Sequence, residues 1–202
     1  MHVGSDFGQG HSWRAGVSAL RTRATDRDAD LQDTSGNDVE VPFTGTSRAT
    51  ILDFVYKWSI APGRSFKLQA EAFRRKESGE VTCTDPAAVP ASPCNGLTDT
   101  YESKQSGGYV QAVVQFAKEW RVGARFDRLD SGTVTYGTTL AADLANTDYQ
   151  PKRTTAMVDW SPSEFSRLRL QFARDQAQQG LTDRQVTLQY ILSLGAHGAH
   201  KY

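Results

Sequence analysis

The stretch Val186-Thr-Leu-Gln-Tyr-Ile-Leu-Ser-Leu-Gly-Ala-His-Gly-Ala-His-Lys-Tyr202 alternates apolar residues with polar or small ones and ends on an aromatic residue. Successive side chains of a β-strand point to opposite faces, so Val186, Leu188 and Tyr190 share one face and Thr187 and Gln189 the other. A long strand with one apolar and one polar side lies between an apolar and a polar medium. Because about 9–11 such residues cross an outer membrane, the stretch predicts a strand of a membrane barrel.

The same period of two recurs along the chain, and helical periodicity fits none of these segments as well. The further segments are 13–19, 50–58, 66–75, 110–116, 120–127, 156–160 and 168–172. Short connections (59–65, 118–119 and 161–166) alternate with long polar ones (25–45, 78–106 and 129–150). Short turns at one rim and long loops at the other are typical of outer-membrane barrels. We therefore predict one all-β domain over residues 1–202, an antiparallel up-and-down transmembrane β-barrel with about eight strands.

The composition excludes several other classes of protein. The 23 basic residues balance the 23 acidic residues, which argues against a nucleic-acid partner or an anionic surface held by bulk charge. No stretch approaches the roughly eighteen apolar residues of a membrane helix. The first residues show no secretory signal, so the chain is either a processed or truncated product or a protein that is not exported.

Two cysteines, Cys83 and Cys94, lie in one segment rich in proline and alanine. Their spacing is not that of a zinc knuckle, and no histidine lies nearby. We predict a disulfide within an extracellular loop at residues 79–100, contributing ~3 kcal/mol and implying passage through an oxidising compartment. Two free thiols in a cytosolic protein are the alternative.

Alternation alone does not decide which face looks inward, since a soluble eight-stranded ligand carrier shows the same period with its apolar face inside. The tryptophans favour the membrane orientation. All four stand at the predicted short-turn rim on the apolar face, where an aromatic girdle meets the membrane interface. We assign the girdle to Trp13, Trp58, Trp120, Trp160 and Tyr202.

With the apolar face towards lipid, charged residues of both signs line the barrel interior. The predicted lumen residues are Lys67, Glu71, Arg75, Arg121, Arg125, Asp127, Asp159 and Arg169. Opposite charges at cross-strand distances form ion-pair ladders or a wet, weakly selective solute path. A polar network that merely fills the barrel is the alternative interpretation of any single member.

Metal and catalytic motifs are weak. Asp26, Asp28 and Asp30 have the spacing that opens a calcium loop, but Leu31 replaces the required glycine, which leaves loose divalent-ion capture against a solvated acidic loop. His197 and His200 face opposite sides of a strand and cannot chelate together. No catalytic trio or nucleotide loop is recognisable, so we expect neither enzymatic activity nor a cofactor.

Several segments resemble one bacterial outer-membrane family. They are residues 10–23, beginning Gly-His-Ser-Trp-Arg-Ala-Gly, residues 120–132, residues 161–175, and residues 188–202 with their Ser-Leu-Gly-Ala-His-Gly-Ala-His tail. They resemble the carboxyl-terminal part of the proteobacterial proteins called zinc-regulated TonB-dependent outer membrane receptors. Members of that family are longer, so the resemblance implies the last strands of a larger barrel. Residues 1–7 then read as the remnant of a preceding strand.

The resemblance implies a transport protein of the bacterial outer membrane that moves a small solute or a metal complex. Its expected partners are outer-membrane lipid and lipopolysaccharide, the barrel-assembly machinery through the carboxyl-terminal strand, and an energy-coupling periplasmic protein. We expect no nucleic-acid partner. A passive porin-like channel, a sealed structural or adhesive barrel, and a soluble lipid carrier are the alternatives.

Overall fold

The computed structural model describes residues 1–85, 92–144 and 149–193, which form strands, turns and loops. No helix in these ranges is long and apolar enough to cross a membrane. The strands are β1 (His2–Phe7), β2 (His11–Arg27), β3 (Asp30–Gln32), β4 (Asp38–Glu40), β5 (Phe43–Ala61), β6 (Arg64–Thr82), β7 (Thr98–Ala117), β8 (Trp120–Tyr136), β9 (Lys152–Ser163), β10 (Ser166–Gln176) and β11 (Asp183–Leu192).

Nine of the strands form a single antiparallel meander in the order β1-β2-β5-β6-β7-β8-β9-β10-β11, and β3 pairs with β4 in a small hairpin. This confirms the predicted all-β class and its up-and-down order. The sheet is not closed, because β1 and β11 are its two edges in the part of the chain that the structure describes. The barrel predicted from the sequence is thus present here as an open, curved wall.

The strands are longer than the alternating segments from which they were predicted. β6 reaches Thr82 and β7 starts at Thr98, so strand replaces both ends of the connection predicted at 79–100. β8 likewise extends to Tyr136, and β2 to Arg27. The predicted loop boundaries were wrong because they followed apolar side chains, whereas ladder hydrogen bonds join backbones whatever the side chains are.

The two faces of the large sheet differ in exposure. The apolar face is open: Leu52 is 56% exposed, Phe172 48% and Leu188 69%. On the polar face the side chains shield one another, and Asp159 and Ala173 are only 1% exposed. The sheet therefore curves around its polar face, with the apolar face convex, which is the reverse of a soluble ligand carrier.

Buried apolar residues gather at the end of the sheet with the long connections. The cluster, called the cap core below, comprises Val39, Val41, Phe43, Val81, Cys83, Cys94, Leu140 and Leu144. Tyr101 and Tyr136 pack against it from the inner face of β7 and β8, with ring centroids 5.8 Å apart. Burial raises the pKa of Tyr136 to about 12. The connections predicted to be solvated loops thus fold into a compact cap against the inner face.

Glycines let Phe43 lie flat on the sheet inside this core. Gly45 and Gly79 face each other across β5 and β6. A Cβ added at Gly45 would stand 2.7 Å from the Phe43 ring, and one at Gly79 would stand 2.2 Å from the carbonyl oxygen of Thr44. Only glycine fits at this close approach.

The predicted disulfide is present, with Cys83 and Cys94 bonded at 2.03 Å. Backbone pairs join the three long connections to one another in the cap: Glu40 pairs with Thr84, and Asp33 pairs with Leu144. Thr34 N–H donates to the carbonyl oxygen of Asp143 at 2.8 Å. The disulfide therefore lies at the junction of three segments that are distant in sequence.

Asp33 links the first long connection to the segment between the two cysteines. The hydroxyl of Ser92 donates to its carboxylate at 2.6 Å, and the side-chain amide of Asn37 donates at 2.9 Å. These bonds, with two from backbone N–H groups, lower the pKa of Asp33 to about 2. The carboxylate is consequently the polar centre of the cap.

Replacing both Cys83 and Cys94 by Ser is expected to destabilise the cap by about 3 kcal/mol, because an open chain regains the entropy that the closed loop removes. Hydrogen exchange at the paired amides of Glu40 and Thr84 measures this loss. The amides joining β9 to β10 provide the internal control, and their protection should not change. Equal protection of the cap amides with and without the disulfide would contradict the prediction.

The cap is expected to loosen in acid. Because the pKa of Asp33 is depressed on folding, its stabilisation is fully present above the unfolded value near 3.8 and is lost as the pH falls through about 2. Pepsin cleavage of the cap between pH 4 and pH 2 measures the opening. Asp33→Asn should remove this part of the pH dependence, and Ser92→Ala should make it smaller, because loss of the Ser92 donor brings the pKa of folded Asp33 back towards its unfolded value. A pH profile that is identical in all three proteins would contradict the assignment.

Candidate functional site

The inner face of the sheet carries most of the charged residues that the sequence assigned to a lumen. Nearest the cap, Glu77 is buried between two guanidinium groups. Arg27 donates two hydrogen bonds to it at 2.7 and 3.1 Å, and Arg75 on the same strand also donates to it. Burial works to raise the pKa of Glu77, but these donors outweigh it and lower the pKa. The cluster anchors the cap to the inner face.

Halfway down the inner face, one register row carries charges on adjacent strands. It runs through Asp53, Glu71, Tyr109, Asp127, Arg153 and Asp175. Arg153 pairs with Asp175 at 3.3 Å. The row is rich in carboxylates, and its cationic partners come from the same or a neighbouring row.

Arg125 connects this row to the one below it. Its guanidinium donates three hydrogen bonds of 2.6 to 3.0 Å to Asp127. The same group lies 3.7 Å from the centre of the Tyr109 ring, within the range of a cation–π interaction. A planar cation held between a carboxylate and a phenol ring can donate further hydrogen bonds to polar groups of a ligand.

Near the short-turn end, Asp159 accepts two hydrogen bonds from Arg169, at 2.7 and 2.8 Å. Arg121 stands directly opposite Asp159 on β8. The carboxylate is 1% exposed, whereas Arg169 keeps about a third of its side chain exposed. This pair is the most deeply buried ion pair of the lower inner face among the described residues.

All eight predicted lumen residues stand at inner-face register positions. The structure brings Arg125 together with Asp127, and Arg121 together with Asp159 and Arg169. Arg75 instead joins the Glu77 cluster, which the sequence did not indicate. Lys67 stands opposite Lys57 rather than opposite an acid. Glu71 lies one strand from Tyr109, in the carboxylate row.

An apolar patch interrupts the polar face between the Glu77 cluster and the carboxylate row. It consists of Leu20, Ile51, Phe73 and Leu129; the last three stand in one register row with Gly107 between Phe73 and Leu129. A Cβ at Gly107 would lie 2.6 Å from Leu129 and 2.9 Å from Phe73, so both side chains close over the glycine. Sequence reasoning missed the patch because each of its residues is an apolar residue on the polar side of its own strand. Only the pairing register shows that the four residues, which come from four strands, lie together.

The patch and the carboxylate row share one cleft. A cavity of about 720 Å³ is lined by Phe73, Leu129, Tyr109, Arg125 and Arg153 of the inner face. Its lining also includes Gly108, Arg128 and Lys152, which stand at outward register positions. Its wall is therefore apolar towards the cap and charged towards the short-turn end. A solute with an apolar body and a polar group matches both parts of this wall.

The four tryptophans all lie at the short-turn end. Trp120 and Trp160 stand opposite each other and stack, with centroids 6.1 Å apart. Trp160 directs its indole N–H to Glu119 in the adjacent turn, at 3.3 Å. Trp58 stacks on His11, whose ring is hydrogen-bonded to the Tyr56 hydroxyl at 2.7 Å. The predicted member Tyr202 lies outside the described residues, as do His197 and His200.

The acidic triplet Asp26, Asp28 and Asp30 does not converge. Asp26 occupies a left-handed conformation with φ of 48° and exchanges hydrogen bonds with Thr44, whereas Asp30 starts β3. Within the described ranges, no three acidic, histidine or cysteine side chains come close enough together to hold a metal ion.

Comparisons with known proteins support the architecture. No protein-family model matches the chain. A protein of Aquifex aeolicus (strain VF5), described as uncharacterized, is 27% identical over 168 residues, which are 79% of this chain and 32% of that protein. Among solved structures, the CymD monoaromatic hydrocarbon channel matches 93% of this chain and 61% of its own, with a TM-score of 0.50 and 10% identity. The fold is thus similar to that of an outer-membrane channel, and the chain spans only part of either relative.

Removing the carboxylate is expected to lower the free energy of unfolding by very different amounts at Asp159 and at Asp127. Asp159→Asn leaves Arg169 without its charged partner in a shielded site and should destabilise the sheet by about 3–5 kcal/mol. Asp127→Asn is the matched control, and because its pair is more exposed the cost should stay below about 1 kcal/mol. Urea unfolding of the protein in lipid vesicles measures both. Equal costs would contradict the difference in shielding.

Proposed function

We propose that this chain is part of the wall of an outer-membrane channel through which small solutes diffuse passively. The orientation of the sheet carries this proposal. Large apolar side chains cover the convex face, while charged groups on the concave face pair with one another. Such a sheet is stable where the outside is hydrocarbon and the inside is water. The fold similarity to an outer-membrane channel supports the same assignment.

The height of the apolar band fits a membrane. On β8 the outward-facing residues run from Trp120 to Arg128, a stretch of nine residues, and a tilted barrel strand needs about 9–11 residues to cross a membrane. Outer-membrane barrels carry an apolar band about 25 Å tall, flanked by aromatic residues. The stacked tryptophans with an N–H directed to the turn fit the interface at the periplasmic side.

The two open edges support a larger assembly. β11 exposes Val186, Leu188 and Tyr190 on its apolar face, and one side of its backbone is unpaired within the described part of the chain. Exposed strand edges favour aggregation, and in a membrane their unpaired backbone groups are costly. We therefore infer that further strands, beyond those in this sheet, pair with β1 and β11 and close the barrel.

The inner wall supports a preference for small solutes with an apolar part. Its charges are largely compensated within the wall, as in Arg125 with Asp127 and Arg153 with Asp175. Selection by net charge is consequently weak, whereas the apolar patch at Phe73 and Leu129 offers contact to an uncharged body. The fold relative CymD is named as a monoaromatic hydrocarbon channel, which is compatible with this preference.

Energy-coupled uptake of the kind implied by the resemblance to TonB-dependent receptors stays a prediction, as do an energy-coupling periplasmic partner and recognition by the barrel-assembly machinery. Energy-coupled uptake differs from passive diffusion in one measurable respect, which is when the protein conducts. A gated receptor conducts only when its plug moves, whereas the passive channel conducts continuously in a planar bilayer. Continuous conductance by the whole protein supports the passive channel, and no conductance supports a sealed structural or adhesive barrel.

The double variant Phe73→Asn with Leu129→Asn is expected to slow the entry of phenol into liposomes containing the whole protein by roughly fivefold, because about 1 kcal/mol of apolar contact is lost. Entry of glycerol should change little. The matched control is Gln69→Asn with Gln111→Asn, two polar residues of the same face, which should leave the phenol-to-glycerol ratio unchanged. A ratio that is the same in all three proteins would rule out the apolar patch as part of the solute path.

A further inference from the structure

Four cationic residues stand side by side on the convex face. Arg21 on β2 is directly opposite Arg48 on β5, which is opposite Lys76 on β6, which in turn is opposite Lys104 on β7. We call this row the basic row. All four residues are exposed and share the parity of the apolar band. The next outward row consists of Ala19, Thr50, Arg74 and Ser106, and the band continues from there with Val17, Leu52 and Ala72. The basic row therefore lies at the border of the apolar surface that we propose to face lipid.

The basic row differs from five arginines of the inner face. Arg27, Arg75, Arg125, Arg153 and Arg169 each have a carboxylate partner. Among the described residues, no member of the basic row forms an ion pair. Acidic residues on the same face, such as Glu102 and Asp130, stand in neighbouring rows without pairing with it. Like charges directly opposite each other destabilise a sheet, so the row favours an external anion that bridges several strands.

The position of the cations follows the upper boundary of the apolar band. On the strands after β7 the outward cations lie closer to the short-turn end. Arg128 and Lys152 stand two outward rows nearer to that end than Lys104, and Arg174 stands one row nearer still. The tryptophans are displaced in the same direction: Trp120 and Trp160 stand two outward rows further towards the short-turn end than Trp13 on β2. Both boundaries are oblique to the strands and keep the band nearly constant in height, as expected where tilted strands cross a membrane.

We propose that the basic row binds the phosphate groups of lipid A in the outer leaflet. This inference rests on the proposed membrane function. The row lies at the end of the sheet with the long connections, opposite the tryptophan rim, and long connections face outward in outer-membrane barrels. The lipid there carries phosphates directly above its acyl chains, at the height of cations that border an apolar band. Several fixed cations match a lipid with more than one phosphate, and they gain affinity by bridging it.

The test uses the whole protein in detergent and measures binding of diphosphorylated lipid A. Arg48→Gln with Lys76→Gln removes two central cations and should weaken binding roughly twenty-five-fold, about fivefold for each cation. Arg64→Gln with Lys118→Gln removes two cations at the short-turn rim, and this control should bind as the unchanged protein does. Conductance in planar bilayers should be equal in all three proteins.

The outcomes separate this proposal from the channel proposal. If the unchanged protein binds dephosphorylated lipid A as tightly as the diphosphorylated form, or if phosphatidylglycerol vesicles compete equally well, the assignment to lipid A phosphates is overturned. Equal weakening by both double variants overturns it as well. In each case, conductance still tests the channel by itself. Specific weakening by the basic-row variant with unaltered conductance supports the assignment.

Discussion

The orientation of one curved sheet underlies every other feature of this protein. Alternation along a strand separates two sets of side chains, and curvature decides which set is crowded and which is spread apart. Here the polar set is inside, where ion pairs satisfy it, and the apolar set is spread over the convex surface. In water alone this arrangement would leave a large apolar surface exposed, which is the physical basis of the membrane orientation that we propose.

The cap shows a second kind of packing within the same chain. Beyond the apolar band the strands continue, and the connections bury Val39, Phe43 and Leu140 against the inner face. That core resembles the interior of a water-soluble domain, with a disulfide and a buried carboxylate at its centre. The chain thus combines an open wall, whose apolar face is exposed, with a cap that has its own buried core and packs against the inner face at the long-connection end.

The sequence predicted the repeating elements of the wall better than their ends. Period two located every strand that crosses the apolar band, and parity alone places residues such as Arg125 and Asp159 together on the polar face. It did not reveal that β5 to β8 extend through residues assigned to loops, because hydrogen-bonded ladders persist where both faces are polar. The apolar patch at Phe73 and the basic row were also missed, because both arise from register across several strands.

The sequence by itself determined the β class, the up-and-down order, the parity of each side chain and the proximity of two cysteines within one short segment. Those properties are local, since they depend on residues within one strand or one turn. The tertiary structure alone decided that the polar face is concave, that the sheet is open in this chain, and that Asp33 meets Ser92. These outcomes depend on pairing between segments far apart in the chain, which alternation within a single strand does not encode.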